Sequence, residues 1–307
     1  MPHISTTEMS HDEWLAKRKD TIGSSDVGTI LGLNRYATPR DLFKEKRGIT
    51  PPFEGNDNTE WGTELEDFCA KMFFKKEMDS KMSAGLNDRR IFRDNKIRSH
   101  PDNPWATCNI DRLIVGGVQP IILELKTTTS YAVKNWDAAI STAYYAQLQW
   151  QMFVCGYERA IIWVAVLDKK QFIRLDVAYS GEFCEKMLAA VKEFREAVEA
   201  GDDSKLPLEP ADVEKMRPVE GSRVEATEEV LSKITQLTEL KARNSSAAKI
   251  EKALSEEVKT FIGENEVLAQ GERVIATYKL THKNAYSVPA SDYRTLNLQR
   301  EKKEKKA

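Results

Sequence analysis

Residues 111–126 decide the fold of this chain and read DRLIVGGVQPIILELK, from Asp111 to Lys126. They connect two runs that otherwise read as buried strands, one over residues 106–115 and one over residues 118–126. The Gly116-Gly117 pair between them is a turn signal, and two apolar runs around such a pair are typical of a β-hairpin. The sequence therefore predicts a hairpin at the centre of the fold.

Two carboxylates and a lysine interrupt this apolar hairpin. Because side chains alternate along a strand, Glu124 and Lys126 share one face of the second strand, while Leu123 and Leu125 take the other. Asp111 comes close to the same face if the register allows. Charges on a core strand cost several kcal/mol unless they are paired or bind a metal. Asp111, Glu124 and Lys126 are therefore a candidate site.

Two interpretations of this candidate site stay open on the residues alone. Oxygen ligands from Asp111 and Glu124, with water in the remaining positions, suit Mg²⁺ or Mn²⁺. Lys126 would then orient or deprotonate a water and offset charge that develops on a phosphoryl oxygen. The absence of a nearby histidine in the sequence argues against zinc. The alternative is a buried Glu–Lys ion pair in an ordinary sheet.

Composition limits the class of protein. The chain has 307 residues, of which 41% are hydrophobic and 31% charged, so it can form one large core with a charged surface. Its formal net charge of −2 argues against a uniformly basic nucleic-acid coat but allows a basic groove. The sequence has no run of eighteen apolar residues and no signal-peptide pattern, so we expect a cytoplasmic protein without membrane contact. The four cysteines form no Cys-x-x-Cys pair, and we expect no disulfide, zinc or iron–sulfur site.

The order of predicted elements indicates an α/β core followed by a helical appendage. Residues 1–205 predict helices around a central mixed sheet, and the proline-rich residues 206–223 predict a linker. Residues 224–307 predict a helical and hairpin region that ends in a charged tail. Its apolar residues recur near heptad spacing with an interruption at residues 244–246. This pattern fits either a helical hairpin or a short coiled coil.

Three further features gain meaning only from their surroundings. Ser24 or Ser25 is a natural N-cap, and beside Arg18 this loop suits either a bound phosphate or plain helix capping. Glu66 borders an apolar helix stripe, where it is either a solvated flank or a third metal carboxylate. Gln147 lies on one helix face with Gln151, four residues on, and that face matters only if it points at the acidic cluster.

The chain also resembles a known family. The spacing of Asp111, Glu124 and Lys126 resembles the PD-(D/E)XK nuclease motif. With its context, the chain over about residues 12–200 resembles YqaJ-type viral recombinase proteins, relatives of the lambda phage exonuclease. One departure is Ile110, which stands where a proline usually precedes the metal-binding aspartate. In chain order, the motifs are Trp14 to Val27, Trp61-Gly62-Thr63-Glu64-Leu65-Glu66, His100-Pro101 through Asp111, Leu123-Glu124-Leu125-Lys126 and Tyr145-Ala146-Gln147-Leu148-Gln149.

The resemblance implies a restriction-endonuclease-like core and a role for each matching residue. It implies that Asp111, Glu124 and the Leu125 carbonyl bind Mg²⁺ or Mn²⁺, two ions in all, and that Lys126 activates water. Two helix residues would complete this site: Glu66 would join the metal ligands, and Gln147 would approach them. Arg18 and Ser25 would hold the 5′-phosphate of a DNA end, with Lys134 as a possible substitute for a further basic residue.

The resemblance also implies an activity and partners. The expected activity is 5′–3′ exonuclease digestion of linear double-stranded DNA, which leaves 3′ overhangs for a single-strand annealing protein in phage-type recombination. The expected assembly is a homotrimeric ring around DNA, and the expected setting is the cytoplasm of a bacterial host that carries a phage or prophage. The alternatives are a RecB-like or restriction-type endonuclease and a non-catalytic DNA-binding or assembly protein.

Overall fold

The structure, a computed structural model, describes residues 2–78, 89–134, 140–217 and 223–282. The chain divides into two compact units, Met1–Val213 and Glu214–Ala307. In the segment predicted as a linker, Leu206 is buried and residues 210–215 form a short helix. The predicted domain boundaries at residues 205 and 223 stay predictions.

The first unit is built on a six-stranded mixed sheet whose spatial order equals the chain order, β1-β2-β3-β4-β5-β6. Neighbouring strands are antiparallel except β4 and β5, which are parallel and joined through helices. The predicted α/β fold class is confirmed. The strands are β1 (His3–Ser5), β2 (Arg90–Ser99), β3 (Thr107–Val115), β4 (Ile121–Thr128), β5 (Arg159–Val166) and β6 (Gln171–Ala178).

The predicted hairpin is the pair β3 and β4. Arg112 pairs with Leu123 and Ile114 with Ile121, in antiparallel register. Gly116 in the connecting turn has a φ of 98°, a backbone conformation that suits glycine. The Gly116-Gly117 turn signal therefore gave the correct strand pairing.

Helices cover both faces of the sheet. One face carries α2, α6 and α7, whose apolar side chains join Ile122 of β4 in the larger core cluster. The other face carries α4, whose Cys69 and Phe73 pack in a second cluster with Leu123 and Leu125. The helices are α1 (His11–Lys19), α2 (Ser24–Ile30), α3 (Pro39–Lys46), α4 (Asp57–Phe73), α5 (Ser130–Lys134), α6 (Thr142–Cys155), α7 (Gly181–Ala200), α8 (Pro210–Lys215) and, in the second unit, α9 (Glu228–Ile262).

The central strand β5 is buried on both faces, as its continuous apolar run predicts. Ile162 and Val164 belong to the larger cluster, while Ile161 and Trp163 belong to the second. This strand lies between β4 and β6, so the candidate site strand β4 is supported by a fully buried neighbour.

Two local expectations were wrong. Ser24 or Ser25 was expected to cap α2, but Gly23 is the N-cap, and the Asp26 carboxylate accepts its N–H at 2.9 Å. The helical hairpin interpretation of the C-terminal region also fails, because α9 runs without a break through residues 244–246. Ser246 is accommodated there by a 3.1 Å bond from its hydroxyl to the Ala242 carbonyl.

The described part of the second unit contains α9 and an antiparallel pair, β7 (Val267–Gln270) and β8 (Arg273–Thr277). This pair lies in the region over residues 224–307 for which the sequence predicts a helical and hairpin structure. The predicted charged tail lies outside the described residues. Among the residues that the structure does describe, no helix is long and apolar enough to cross a membrane.

Candidate active site

The hairpin register brings the two strand carboxylates together. Extending the pairing of Arg112 with Leu123 by one residue places Asp111 opposite Glu124. The Leu125 backbone N–H donates to Asp111 Oδ2 at 2.8 Å, so the Asp111 side chain is held across the hairpin by main chain of β4. The Leu125 side chain points the other way, into the second core cluster.

The Glu124 carboxylate is fully enclosed by donors. Lys126 Nζ and Gln147 Nε2 each lie 2.6 Å from Oε1, and Gln151 Nε2 lies 2.8 Å from Oε2. Glu124 is 2% exposed. The face of α6 that carries both glutamines therefore points at the acidic cluster, which is the condition under which their spacing matters.

The charges of the site are unevenly compensated. Burial, followed by the neighbouring charge of Glu124, raises the pKa of Asp111 to about 7. Burial disfavours the charged form of Lys126, but Glu124 and Asp111 outweigh this and raise the pKa of the ammonium above its ordinary value. Two carboxylates thus share one lysine. Because the pKa of Asp111 is about 7, its carboxyl group is only partly ionised at neutral pH.

Gln151 is a site residue that the sequence did not assign. Its Nε2 donates to Asn109 O at 3.0 Å as well as to Glu124, which orients the amide. Among the residues that the structure describes, its buried Oε1 has no hydrogen-bond partner. The (i, i+4) spacing from Gln147 was visible in the sequence, but the direction of that helix face depends on how α6 packs on the sheet.

Glu66 is bound to arginines in this structure. Arg112, which is 4% exposed, forms ion pairs with Glu66 and Asp67 of α4, and Arg93 lies 3.2 Å from Glu66. Both arginines contact Oε1 of Glu66. Within the described residues, no three side chains of His, Cys, Asp or Glu are grouped so as to hold a metal ion. The acidic centre seen here is the pair Asp111 and Glu124.

The residues expected at a DNA end are only partly together. Arg18 donates from Nη2 to Ser25 Oγ at 2.9 Å and to Asp26 Oδ1 at 3.1 Å, and its guanidinium lies 4.7 Å from the centre of the Trp14 ring. Lys134 is exposed at the end of α5, and no hydrogen bond or ion pair between described residues joins it to Arg18 or Ser25. Asp26 was missed by the sequence reasoning.

The donor set fits a divalent cation with a preference for oxygen ligands. Asp111 and Glu124 are opposed carboxylates with Lys126 as their shared cation, and paired carboxylate oxygens are the ligands that Mg²⁺ prefers in proteins. Asp111 Oδ2 accepts the Leu125 N–H, and this bond would hold the carboxylate in place for such a cation.

Comparison with known proteins shows which family this arrangement resembles. Residues 13–158 match the model of the YqaJ-like viral recombinase domain, and this segment contains Asp111, Glu124, Lys126 and Gln147. Over this segment the chain is similar to the YqaJ-like viral recombinase family. The chain is also 35% identical, over 191 residues, to the uncharacterized protein YqaJ of Bacillus subtilis (strain 168), which aligns with 61% of this chain and 56% of the relative. The chain thus spans little more than half the length of that curated relative.

Solved structures are similar to this chain at low identity. The alkaline exonuclease of Laribacter hongkongensis is 18% identical with a TM-score of 0.49, covering 62% of this chain and 93% of that one. A phage-related exonuclease from Haemophilus somnus 129PT is 17% identical with a TM-score of 0.43, covering 59% and 94%.

Proposed function

We propose that the protein is a metal-dependent nuclease that degrades linear double-stranded DNA from its 5′ ends and leaves 3′ single-stranded overhangs. The observation that carries the proposal is the meeting of Asp111, Glu124 and Lys126 on one face of the hairpin, with Gln147 of α6 bound to Glu124. The match of residues 13–158 to the YqaJ-like viral recombinase domain model supports a role in phage-type recombination.

Asp111, Glu124, Glu66 and the Leu125 carbonyl would hold Mg²⁺ or Mn²⁺, two ions in all. The Leu125 N–H holds the Asp111 carboxylate in place, and both arginines hold Glu66, so these carboxylates would be positioned before an ion binds. When bound, such ions polarise a phosphodiester and stabilise its attacking and leaving oxygens. Glu124 reaches them through the orientation that Gln147 and Gln151 give it.

The remaining chemistry falls to Lys126. Its ammonium is held beside Glu124 at 2.6 Å, and the charges of Glu124 and Asp111 outweigh burial and keep its pKa above the ordinary value. As a cation it would orient a water and offset negative charge on the phosphoryl group. Hydrolysis forms a bond from the water oxygen to phosphorus and breaks the bond from phosphorus to the 3′ oxygen, which takes up a proton. Each turnover releases a nucleotide and leaves a new 5′-phosphate on the shortened strand.

Arg18 and Ser25 would hold that 5′-phosphate. The guanidinium already contacts the Ser25 hydroxyl and keeps further N–H groups for an anion, and its side chain is 31% exposed. Lys134 would add a positive charge if the DNA end brings it near. Because Arg18 and Ser25 would bind the new 5′-phosphate after every turnover, the enzyme would degrade DNA from the 5′ end and not cut at random internal positions.

The proposed setting follows from the same activity. A duplex resected from its 5′ ends is the substrate of a single-strand annealing protein, which we propose as a partner in the cytoplasm of a phage- or prophage-bearing bacterial cell. We also propose a trimeric ring around the DNA. We propose three parts of the chain: a nuclease core over residues 1–205, a linker over 206–223 and an appendage over 224–307.

Digestion of linear and closed circular duplex tests the proposed function. With Mg²⁺, linear duplex labelled at the 3′ end should lose its unlabelled 5′ nucleotides and keep the label, while closed circles stay intact. Cleavage of circles would favour the endonuclease alternative. DNA binding without any metal-dependent cleavage would favour the non-catalytic alternative. Arg18→Ala should mainly reduce the preference for 5′-phosphorylated over 5′-hydroxyl ends.

A further inference from the structure

Lys46 of α3 is a buried lysine whose three donors are all in use. It is 6% exposed, and Nζ lies 2.6 Å from the Arg18 carbonyl, 2.8 Å from the Thr21 carbonyl and 2.7 Å from Asp26 Oδ2. These partners lie on the end of α1, the loop that follows it, and α2. Lys46 thus ties together the segments that carry Arg18 and Ser25.

Asp26 lies between Lys46 and Arg18. It is 3% exposed, with Oδ1 bound to Arg18 and Oδ2 bound to Lys46 and to the Gly23 N–H. Burial disfavours the charged carboxylate, but Lys46 and Arg18 outweigh it and hold the pKa of Asp26 below its ordinary value. Asp26 is therefore ionised, and it orients the guanidinium towards Ser25.

The charges of the three residues decide what a phosphate would meet. Arg18 with Asp26 alone is a neutral pair, and a neutral pair attracts an anion weakly. Lys46 contributes a second positive charge from the buried side of Asp26, so the group carries a net charge of +1. The charge of Arg18, which is partly exposed, is then left for a ligand, because Asp26 is already neutralised by Lys46.

We propose that Lys46 determines the preference for 5′-phosphorylated DNA ends by neutralising Asp26 behind Arg18. This inference rests on the proposed function, since it assigns a specificity role within the proposed end-binding site. Lys46 acts through Asp26 and Arg18 and is a positioning residue. The ligand class is a phosphomonoester at the end of a nucleic-acid strand.

Binding to short hairpin duplexes with a 5′-phosphate or a 5′-hydroxyl tests the inference without turnover. Dissociation constants are measured by fluorescence anisotropy in EDTA. Lys46→Met should reduce the ratio of affinities for the two ends roughly tenfold, the loss expected for one charge-assisted hydrogen bond. Lys44→Met, which removes the same charge from the same helix away from Asp26, should keep the ratio of the wild type.

A double variant separates charge from folding. Asp26→Asn with Lys46→Met removes both buried charges and leaves Arg18 with the same net charge of +1, so the ratio should return towards that of the wild type. If Lys46→Met fails to fold, as judged by circular dichroism, the double variant decides: a ratio as low as that of Arg18→Ala overturns the inference.

The inference and the proposed function fail in different ways. An unchanged ratio in folded Lys46→Met, or a wild-type protein indifferent to the end phosphate, overturns the role of Lys46 even if the protein digests linear duplex. The absence of any metal-dependent cleavage by the wild type overturns the proposed nuclease, whatever the end preference.

Discussion

Gln151 donates a hydrogen bond from Nε2 to Glu124 Oε2 at 2.8 Å, and both residues are buried. Oε2 of Glu124 thus accepts its hydrogen bond from α6. The other oxygen, Oε1, accepts from both Lys126 and Gln147. This division leaves the carboxylate little freedom to rotate. The orientation of Glu124 therefore depends on how α6 packs against the sheet.

The first prediction concerns this hydrogen bond. Gln151→Leu should lower kcat for duplex digestion about 10- to 100-fold, the usual effect of removing a residue that orients a metal ligand. KM for DNA should change little, because Gln151 is completely buried. Steady-state kinetics with Mg²⁺ in excess measures both parameters.

Gln149 provides the matched control for Gln151. It is equally buried on the same helix, but it bonds to the Ala178 carbonyl and the Ser180 N–H, away from Glu124. Gln149→Leu should lower the free energy of unfolding by about 1–3 kcal/mol while kcat of the folded protein is kept. Equal losses of kcat in both variants would show that Gln151 acts only through stability.

The second prediction distinguishes two carboxylates that share one arginine. Glu66→Ala should lower cleavage and weaken Mg²⁺ binding, since we assign Glu66 to the metal site. Asp67→Ala removes a neighbouring partner of Arg112 and should affect stability alone. Titration of cleavage rate against Mg²⁺ concentration measures the difference. Identical Mg²⁺ dependence in both variants would remove Glu66 from the site.

The third prediction follows from the raised pKa of Asp111. Its pKa is about 7 in the folded protein and near 3.8 when unfolded, so between these values the folded state binds more protons. Without metal, this group should make the free energy of unfolding fall as pH rises from about 4 to 7. Mg²⁺ should raise Tm more at pH 8 than at pH 5, because it replaces the proton on Asp111.

Asp111→Asn is the control for that pH dependence. In EDTA at pH 8 it should be more stable than the wild type, by roughly 2–4 °C in Tm for each kcal/mol of relieved charge. Mg²⁺ should no longer stabilise it. Thermal melts that show the same Mg²⁺ stabilisation in Asp111→Asn and the wild type would place the cation elsewhere.

The fourth prediction concerns Lys126. Lys126→Met should lower kcat about 10²- to 10⁴-fold, the range for losing a group that assists proton transfer or offsets charge. It should also reduce the stability of the metal-free protein, because Asp111 and Glu124 lose their shared cation. The exposed Lys169→Met should change neither quantity. A Lys126→Met variant with wild-type kcat would contradict the proposed role.

The sequence predicted the strand part of the site because its signals are local. The Gly116-Gly117 turn predicts the hairpin, and Glu124 and Lys126 alternate with apolar neighbours. These signals were enough to place Asp111, Glu124 and Lys126 on one hairpin. The direction of the glutamine face of α6 was not predictable, since it depends on tertiary packing. Gln147 was assigned through the family resemblance, whereas Gln151 was seen but left out.

Ion pairs between segments that are distant in sequence could not be predicted from the sequence either. Lys46 reads as an ordinary basic residue near a helix end, yet it is buried against Asp26 and the Arg18 carbonyl. Arg112 likewise reads as one polar residue of a strand, and only the fold shows that it binds Glu66. Continuity of α9 through residues 244–246 was missed because Asn and Ser favour turns but do not force them.

The central claim is that the carboxylate pair on the β3–β4 hairpin makes this protein a metal-dependent nuclease. The most direct test is nucleotide release from linear duplex by equal amounts of folded wild type and Asp111→Asn, each with Mg²⁺ or with EDTA. We expect release only by the wild type with Mg²⁺. Equal release by Asp111→Asn, or release by the wild type in EDTA, would contradict it.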